Sequence, residues 1–158
     1  MSEKVEQRAI SIRAARTSDA TAWRAMWAAY CTFYDQTLPE SITEGVWARI
    51  LDSTSPVHCL IARGEDGTPF GFANYVLHPH TWSDKTVCYL EDLYVAPEAR
   101  GHGVGHALIE HLIETGKTSG WARVYWHTEI GNAAARRLYD RFKPADDFVR
   151  YTVSITGK

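Results

Sequence analysis

The sequence predicts a single α/β (α+β) domain with a mixed, mostly antiparallel central sheet flanked by helices. Three observations carry this. At 158 residues and 45% apolar content the chain suits one compact domain with a real core. Strand-like and helix-like segments follow one another in the order β-α-α-β-β-β-α-β-α-β, with no repeat, low-complexity run or linker to split residues 1–158. A loop with three alternating glycines, Arg100-Gly-His-Gly-Val-Gly105, joins the most apolar strand to a helix.

The elements follow in chain order. Ala9 to Ala14 alternates apolar and polar residues, as a short strand does. Thr17-Ser18-Asp19 offers caps for a helix whose aromatic face is Trp23, Trp27, Tyr30 and Tyr34. Ser41 and Glu44 fit a capping box opening a second helix with Val46, Trp47, Ile50 and Leu51. Strands are expected at Val57 to Arg63 and Phe70 to Leu77, joined by a turn at Glu65 to Pro69. His78 to Lys85 reads as a loop and Val87 to Val95 as the strongest strand. The helix after the glycine loop carries Val104, Leu108 and Leu112 on one stripe and is broken by Gly116 to Gly120. Ala122 to Thr128 reads as a strand, Asn132 to Phe142 as a helix and Phe148 to Ile155 as a closing strand.

Charge and composition narrow the function. A formal net charge of −2 gives no overall pull toward nucleic acid. No apolar run reaches the roughly 20 residues of a membrane span. The N-terminus has no apolar signal core, so a soluble, cytoplasmic protein is expected. Cys31, Cys59 and Cys88 form no C-x-x-C pair, which speaks against a disulfide framework or a structural zinc site.

The glycine loop fails the nucleotide registers. A dinucleotide fingerprint needs a third glycine where His106 or Leu108 stands, and no Gly-Lys-Ser or Gly-Lys-Thr follows for a P-loop. His102 and His106 lack the H-E-x-x-H pattern, so no metal is expected. What remains is helix-terminus physics. Free amides and the helix dipole favour an anion, glycines let backbone approach it, and Arg100 adds charge. A pyrophosphate-like group fits; a tight strand-to-helix turn that binds nothing is the alternative.

On a regular strand Val87, Tyr89, Glu91, Leu93 and Val95 share one face and Asp92 takes the other. A carboxylate on an apolar face is costly unless paired, so Glu91 is expected to line a cleft, with Asp92 solvated or cap-forming.

Arg100-Gly-His-Gly-Val-Gly105 resembles the R/Q-x-x-G-x-G/A coenzyme A loop of the GNAT acetyltransferase superfamily. "YLEDLYVAPEARGHGVGHALIEHL" is similar to that family's fourth strand, loop and third helix. "VYWHTEIGNAAARRLYDRF" resembles its fifth strand and fourth helix, and "WRAMWAAYCTFY" the first helix of a branch with fungal histone and D-amino-acid acetyltransferases. After Tyr139 the sequence departs from the pattern, with Phe142-Lys-Pro where many relatives carry a Gly-Phe or Gly-Tyr pair. The resemblance implies transfer of acetyl from acetyl-CoA, with no metal, to a primary amine (small amine, polyamine, amino acid or lysine) in a ternary complex. A non-catalytic acyl-CoA-binding domain is the alternative. It implies Tyr139 as proton donor to the leaving thiolate and Glu91, aligned with the proposed base of polyamine acetyltransferases, as base directly or through water. Coenzyme contacts are implied at Leu93, Tyr94, Val95, Arg100, Gly101, His102, Gly103, Val104, Gly105 and Asn132, with the oxyanion donor near Leu93. Arg136, Arg137 and Arg141 are candidates for a 3′-phosphate. Tyr34 and Asp35, at the junction of the first two helices, are expected to wall the acceptor. Trp82 hints at an interface, such as a homodimer.

Overall fold

A computed structural model describes residues 9–156. The N-terminal segment read above for a signal lies outside the described residues. The described chain falls into two compact units, one ending at His127 and the other starting at Thr128.

The first unit holds a five-stranded sheet in the order β1-β2-β3-β4-β5. The strands are β1 (Ser11–Ala14), β2 (Val57–Arg63), β3 (Pro69–His80), β4 (Ser83–Val95) and β5 (Arg123–Tyr125). Neighbours are antiparallel except β4 and β5, which run parallel and so need a crossover, supplied by α3 (Val104–Ser119). One face of the sheet is covered by α1 (Ala20–Phe33) and α2 (Glu40–Leu51).

The aromatic stripe of α1 becomes the core on that face. Trp23 stacks on Trp27 at 5.5 Å and on Trp47 of α2 at 5.0 Å, over Ile61 and Phe72 of the sheet. Each ring removes a large apolar area from water, worth about 3 kcal/mol or more if truncated. On the other face α3 buries Leu108, Ile109 and Leu112 completely.

Several expectations are corrected. Asp19 does not cap α1. It is buried and binds the guanidinium of Arg13 at 2.7 and 3.1 Å, the Arg16 amide at 2.8 Å, and Arg63. The two arginines outcompete the helix amides for its oxygens. Ser41 and Glu44 lie inside α2, which starts at Glu40 behind Pro39 with no side-chain cap. The expected loop at His78 to Lys85 is instead a tight hairpin between β3 and β4, with Pro79 tolerated at a register shift. Gly116 lies within α3, with Trp121 packed where a side chain would stand, and it is Gly120, at φ 73°, that ends the helix.

The second unit contains α4 (Ala133–Tyr139). The closing strand expected at Phe148 to Ile155 is not formed, and Phe148, Tyr151, Val153 and Ile155 are each at least 83% exposed. Alternation prepares a segment for a sheet but supplies no hydrogen-bonding edge.

Candidate active site

The site in the first unit grows from the C-terminal half of β4. Asn74 of β3 pairs with Asp92, yet Tyr75 pairs with Leu90, so Glu91 is an extra residue with no partner. Such a bulge re-aims side chains. It also reverses the phase of the strand, which corrects the expected face assignment. Asp92 and Tyr94, paired with Asn74 and Phe72, face α1 and α2, while Leu93, paired with Ala73, faces away.

Asp92 is not solvated. Asn74 Nδ2 donates to its Oδ2 at 3.1 Å, and the Tyr30 hydroxyl bonds to it as well. Burial pushes its carboxyl above the usual range, and the two donors oppose that rise. Glu91 is more exposed and has no hydrogen bond or ion pair among the described residues. Partial burial and then the charge of Asp92 raise its carboxyl, against Arg49 of α2. A carboxylate held up in this way accepts a proton more readily than an unperturbed one.

Beyond Tyr89, β4 and β5 no longer pair. The Ala96 amide donates to Phe70 O on β3 at 2.8 Å. By strand alternation the amides of Leu93 and Val95 therefore point to the opposite edge, onto the seam where β5 has ended. Tyr94 instead stacks on Phe72 at 5.6 Å, within the core face.

The glycine loop follows directly. Arg100 Nε donates to Val95 O at 3.0 Å, tying the loop to the end of β4. Gly101 and Gly103 have φ of 78° and 80°, and a Cβ on either would meet nothing within 4 Å. Gly103 precedes α3 and no side chain caps that helix. Val104 and Gly105 form its buried first turn, whose amides have no intrahelical acceptor. His102 Nδ1 is buried with no hydrogen-bond partner among the described residues. Open glycine backbone, an uncapped helix start and an orphan ring nitrogen together suit a pyrophosphate. Gly71 of β3 brings α3 close, for a Cβ there would stand 2.9 Å from Tyr94 O and 3.1 Å from Val104 Cγ1.

At the junction of α1 and α2, Tyr34 ends α1, and its ring lies 4.9 Å from that of Tyr30, the partner of Asp92. Asp35 takes a left-handed conformation with φ 53°. A cavity of about 310 Å³ opens between α1 and the start of α2, lined by Arg24, Trp27, Cys31, Thr32, Gln36 and Glu40 among others but not by Tyr34 or Asp35. That is the lower end of small-molecule pocket sizes.

In the second unit Asn132 caps α4, its Oδ1 accepting from the Ala135 amide at 3.2 Å, and Tyr139 ends the helix, half-buried. Among the described residues no three His, Cys, Asp or Glu side chains gather as a metal site. Among the described residues no helix is long and apolar enough to cross a membrane.

Sequence reasoning missed Asn74, Tyr30 and Arg49. For Asn74 there was a signal, a lone amide inside the apolar run "FGFANYVL".

The profile of the Acetyltransferase (GNAT) family matches residues 21–143, so the chain belongs to that family. It is an acetyl-CoA-dependent N-acetyltransferase, an enzyme acting on amines. It is 33% identical over 150 residues to a D-amino-acid N-acetyltransferase, HPA3, of Saccharomyces cerevisiae, covering 94% of this chain and 93% of that one. It is 34% identical over 89 residues to a thialysine N-epsilon-acetyltransferase of Bos taurus, covering 52% of each. A crystal structure of a probable acetyltransferase superposes with a TM-score of 0.84 at 24% identity, covering 94% of this chain and 99% of that one. An aminoglycoside N-acetyltransferase, AAC(6')-Iy, in complex with CoA does so with a TM-score of 0.79 at 18% identity, covering 96% and 99%. These two likenesses are of fold.

Proposed function

We propose that the enzyme acetylates the primary amine of a small amino acid or lysine-like acceptor by direct attack in a ternary complex. The observation that carries this is Glu91, the unpaired residue of the β4 bulge, open and without a donor beside the half-buried, hydrogen-bonded Asp92. The names of the yeast and bovine relatives support an amino-acid or lysine-type acceptor.

Acetyl-CoA supplies the activated acyl group. Near pH 7 only about one in a thousand lysine-like amines is neutral, so attack requires loss of a proton. Glu91 takes that proton, directly or through a water. The Leu93 amide stabilises the oxyanion, and the backbone of Leu93, Tyr94 and Val95 holds the pantetheine arm. Arg100, Gly101, His102, Gly103, Val104 and Gly105 hold the pyrophosphate. Asn132 bonds the coenzyme, and the Tyr139 hydroxyl gives a proton to the departing thiolate. Tyr34, Asp35 and the cavity between α1 and the start of α2 receive the acceptor. In this reading residues 1–158 work as one acetyltransferase domain, supported by a family match that runs across the boundary between the units. The working form is a cytoplasmic homodimer, tested by mass measurement in solution and by localisation of a tagged chain.

Thiol release with a panel of D- and L-amino acids, lysine analogues and polyamines tests the reading. Glu91→Gln is expected to lower kcat/KM about 100-fold or more, and Tyr139→Phe to lower kcat about tenfold or more. Full activity of Glu91→Gln across the pH range, or turnover of polyamines alone, sinks it.

A further inference from the structure

Asn74 sits in the middle of β3, 3% exposed, where a polar group costs free energy unless its hydrogen bonds are made. Its Oδ1 accepts from Trp23 Nε1 at 3.5 Å, and its Nδ2 donates to Asp92 at 3.1 Å. An indole N–H only donates and a carboxylate only accepts, so the amide can face one way. With Tyr30 as a second donor, Asp92 is gripped from α1 and β3. Its neighbour Glu91 has no such grip.

Adjacent carboxylates titrate as a pair, and the proton goes to the member whose anion is less well stabilised. We propose that Asn74, oriented by Trp23, is a positioning residue for the reaction: it keeps the charge of the pair on Asp92 and leaves Glu91 to exchange the proton. This rests on the reading of Glu91 as the base. The charged groups near Glu91 are Asp92 and Arg49. Around Asp92 stand Tyr30, Asn74 and the thiols of Cys31 and Cys59, both pushed up by burial and so neutral.

The test is the pH dependence of kcat/KM, with a ¹³C carboxyl titration of the labelled enzyme. In Asn74→Ala, Asp92 loses a donor and protonates more readily, so Glu91 is relieved of a negative neighbour. Its acid-side break moves to lower pH, and the share of plateau activity kept one unit below the wild-type break rises about threefold. Asp92→Asn moves the break the same way, and adding Asn74→Ala to it moves it no further. Tyr30→Phe makes the same test if Asn74→Ala does not fold. An unmoved break, or an equal shift in the Asp92→Asn background, overturns the proposal. Should Glu91→Gln stay fully active, the base reading fails and this proposal with it. An inactive Glu91→Gln with an unmoved break in Asn74→Ala removes this proposal alone.

Discussion

The guanidinium of Arg13 on β1 clasps the carboxylate of Asp19, at the foot of α1, through two hydrogen bonds of 2.7 and 3.1 Å. Arg63 of β2 closes on the same carboxylate, so one buried anion joins two strands to the first helix. Burial alone would raise this carboxyl. The bonds from Arg13, the Arg16 amide and Arg63 outweigh it and hold it at about 2.

A depressed folded-state value stabilises the protein above the unfolded value and is lost as pH falls through the folded one. The contribution is therefore complete above about pH 4 and disappears toward pH 2, amounting to about 2 kcal/mol. Asp19→Asn is expected to lose about that much in urea unfolding at pH 7, with the gap to wild type closing at pH 2 to 3. A gap that stays constant with pH would show that the carboxylate charge contributes nothing.

Gly71 sets how near α3 comes to the sheet. In Gly71→Ala the new Cβ meets the carbonyl of Tyr94 and the side chain of Val104. Backbone cannot yield as a flexible side-chain tip can, so a loss of about 1–3 kcal/mol is expected in chemical denaturation. A wild-type midpoint would contradict the close approach.

Gly103→Ala separates backbone strain from ligand space. At φ 80° an alanine costs about 1 kcal/mol, and its Cβ meets no protein atom. Calorimetric titration with acetyl-CoA is expected to show affinity reduced about tenfold or more, because the cradle is narrowed. Unchanged affinity with only the stability loss would remove the loop as a pyrophosphate holder.

Asp35 offers two readouts at one position. Its left-handed φ of 53° favours glycine, so Asp35→Gly is expected to raise stability by about 0.5–1 kcal/mol. The same variant is expected to raise the acceptor KM severalfold while kcat holds. An unchanged KM would leave Asp35 as a helix terminus only.

The order of strands and helices up to α4 was legible because its signals are local: the aromatic stripe of α1, the alternation in β1 and the glycines before α3. The glycine turn into α3 was legible because positive-φ backbone beside a helix start restricts the residues that fit. The bulge was not, since alternation counts every residue and the insertion is visible only in the pairing of Asn74 with Asp92. The setting of Asp92 is hidden from the sequence for a related reason. Its two donors come from residues 18 and 62 positions away, and no local pattern announces them. The alternation over 148–155 predicts a strand that does not form, because side-chain pattern does not specify a hydrogen-bonding edge.

The single extra residue at Glu91 makes β4 a strand with two grammars. Before it, odd-numbered residues share the phase of Tyr89; after it, even-numbered ones do, starting with Asp92. Deleting Glu91 would restore a uniform ladder to β3 and a tidier sheet. It would also erase the side-by-side carboxylates, which exist only because the strand miscounts by one. An engineer who moved β4 into another scaffold by matching its inward-facing pattern would transplant the sheet and leave the paired carboxylates behind.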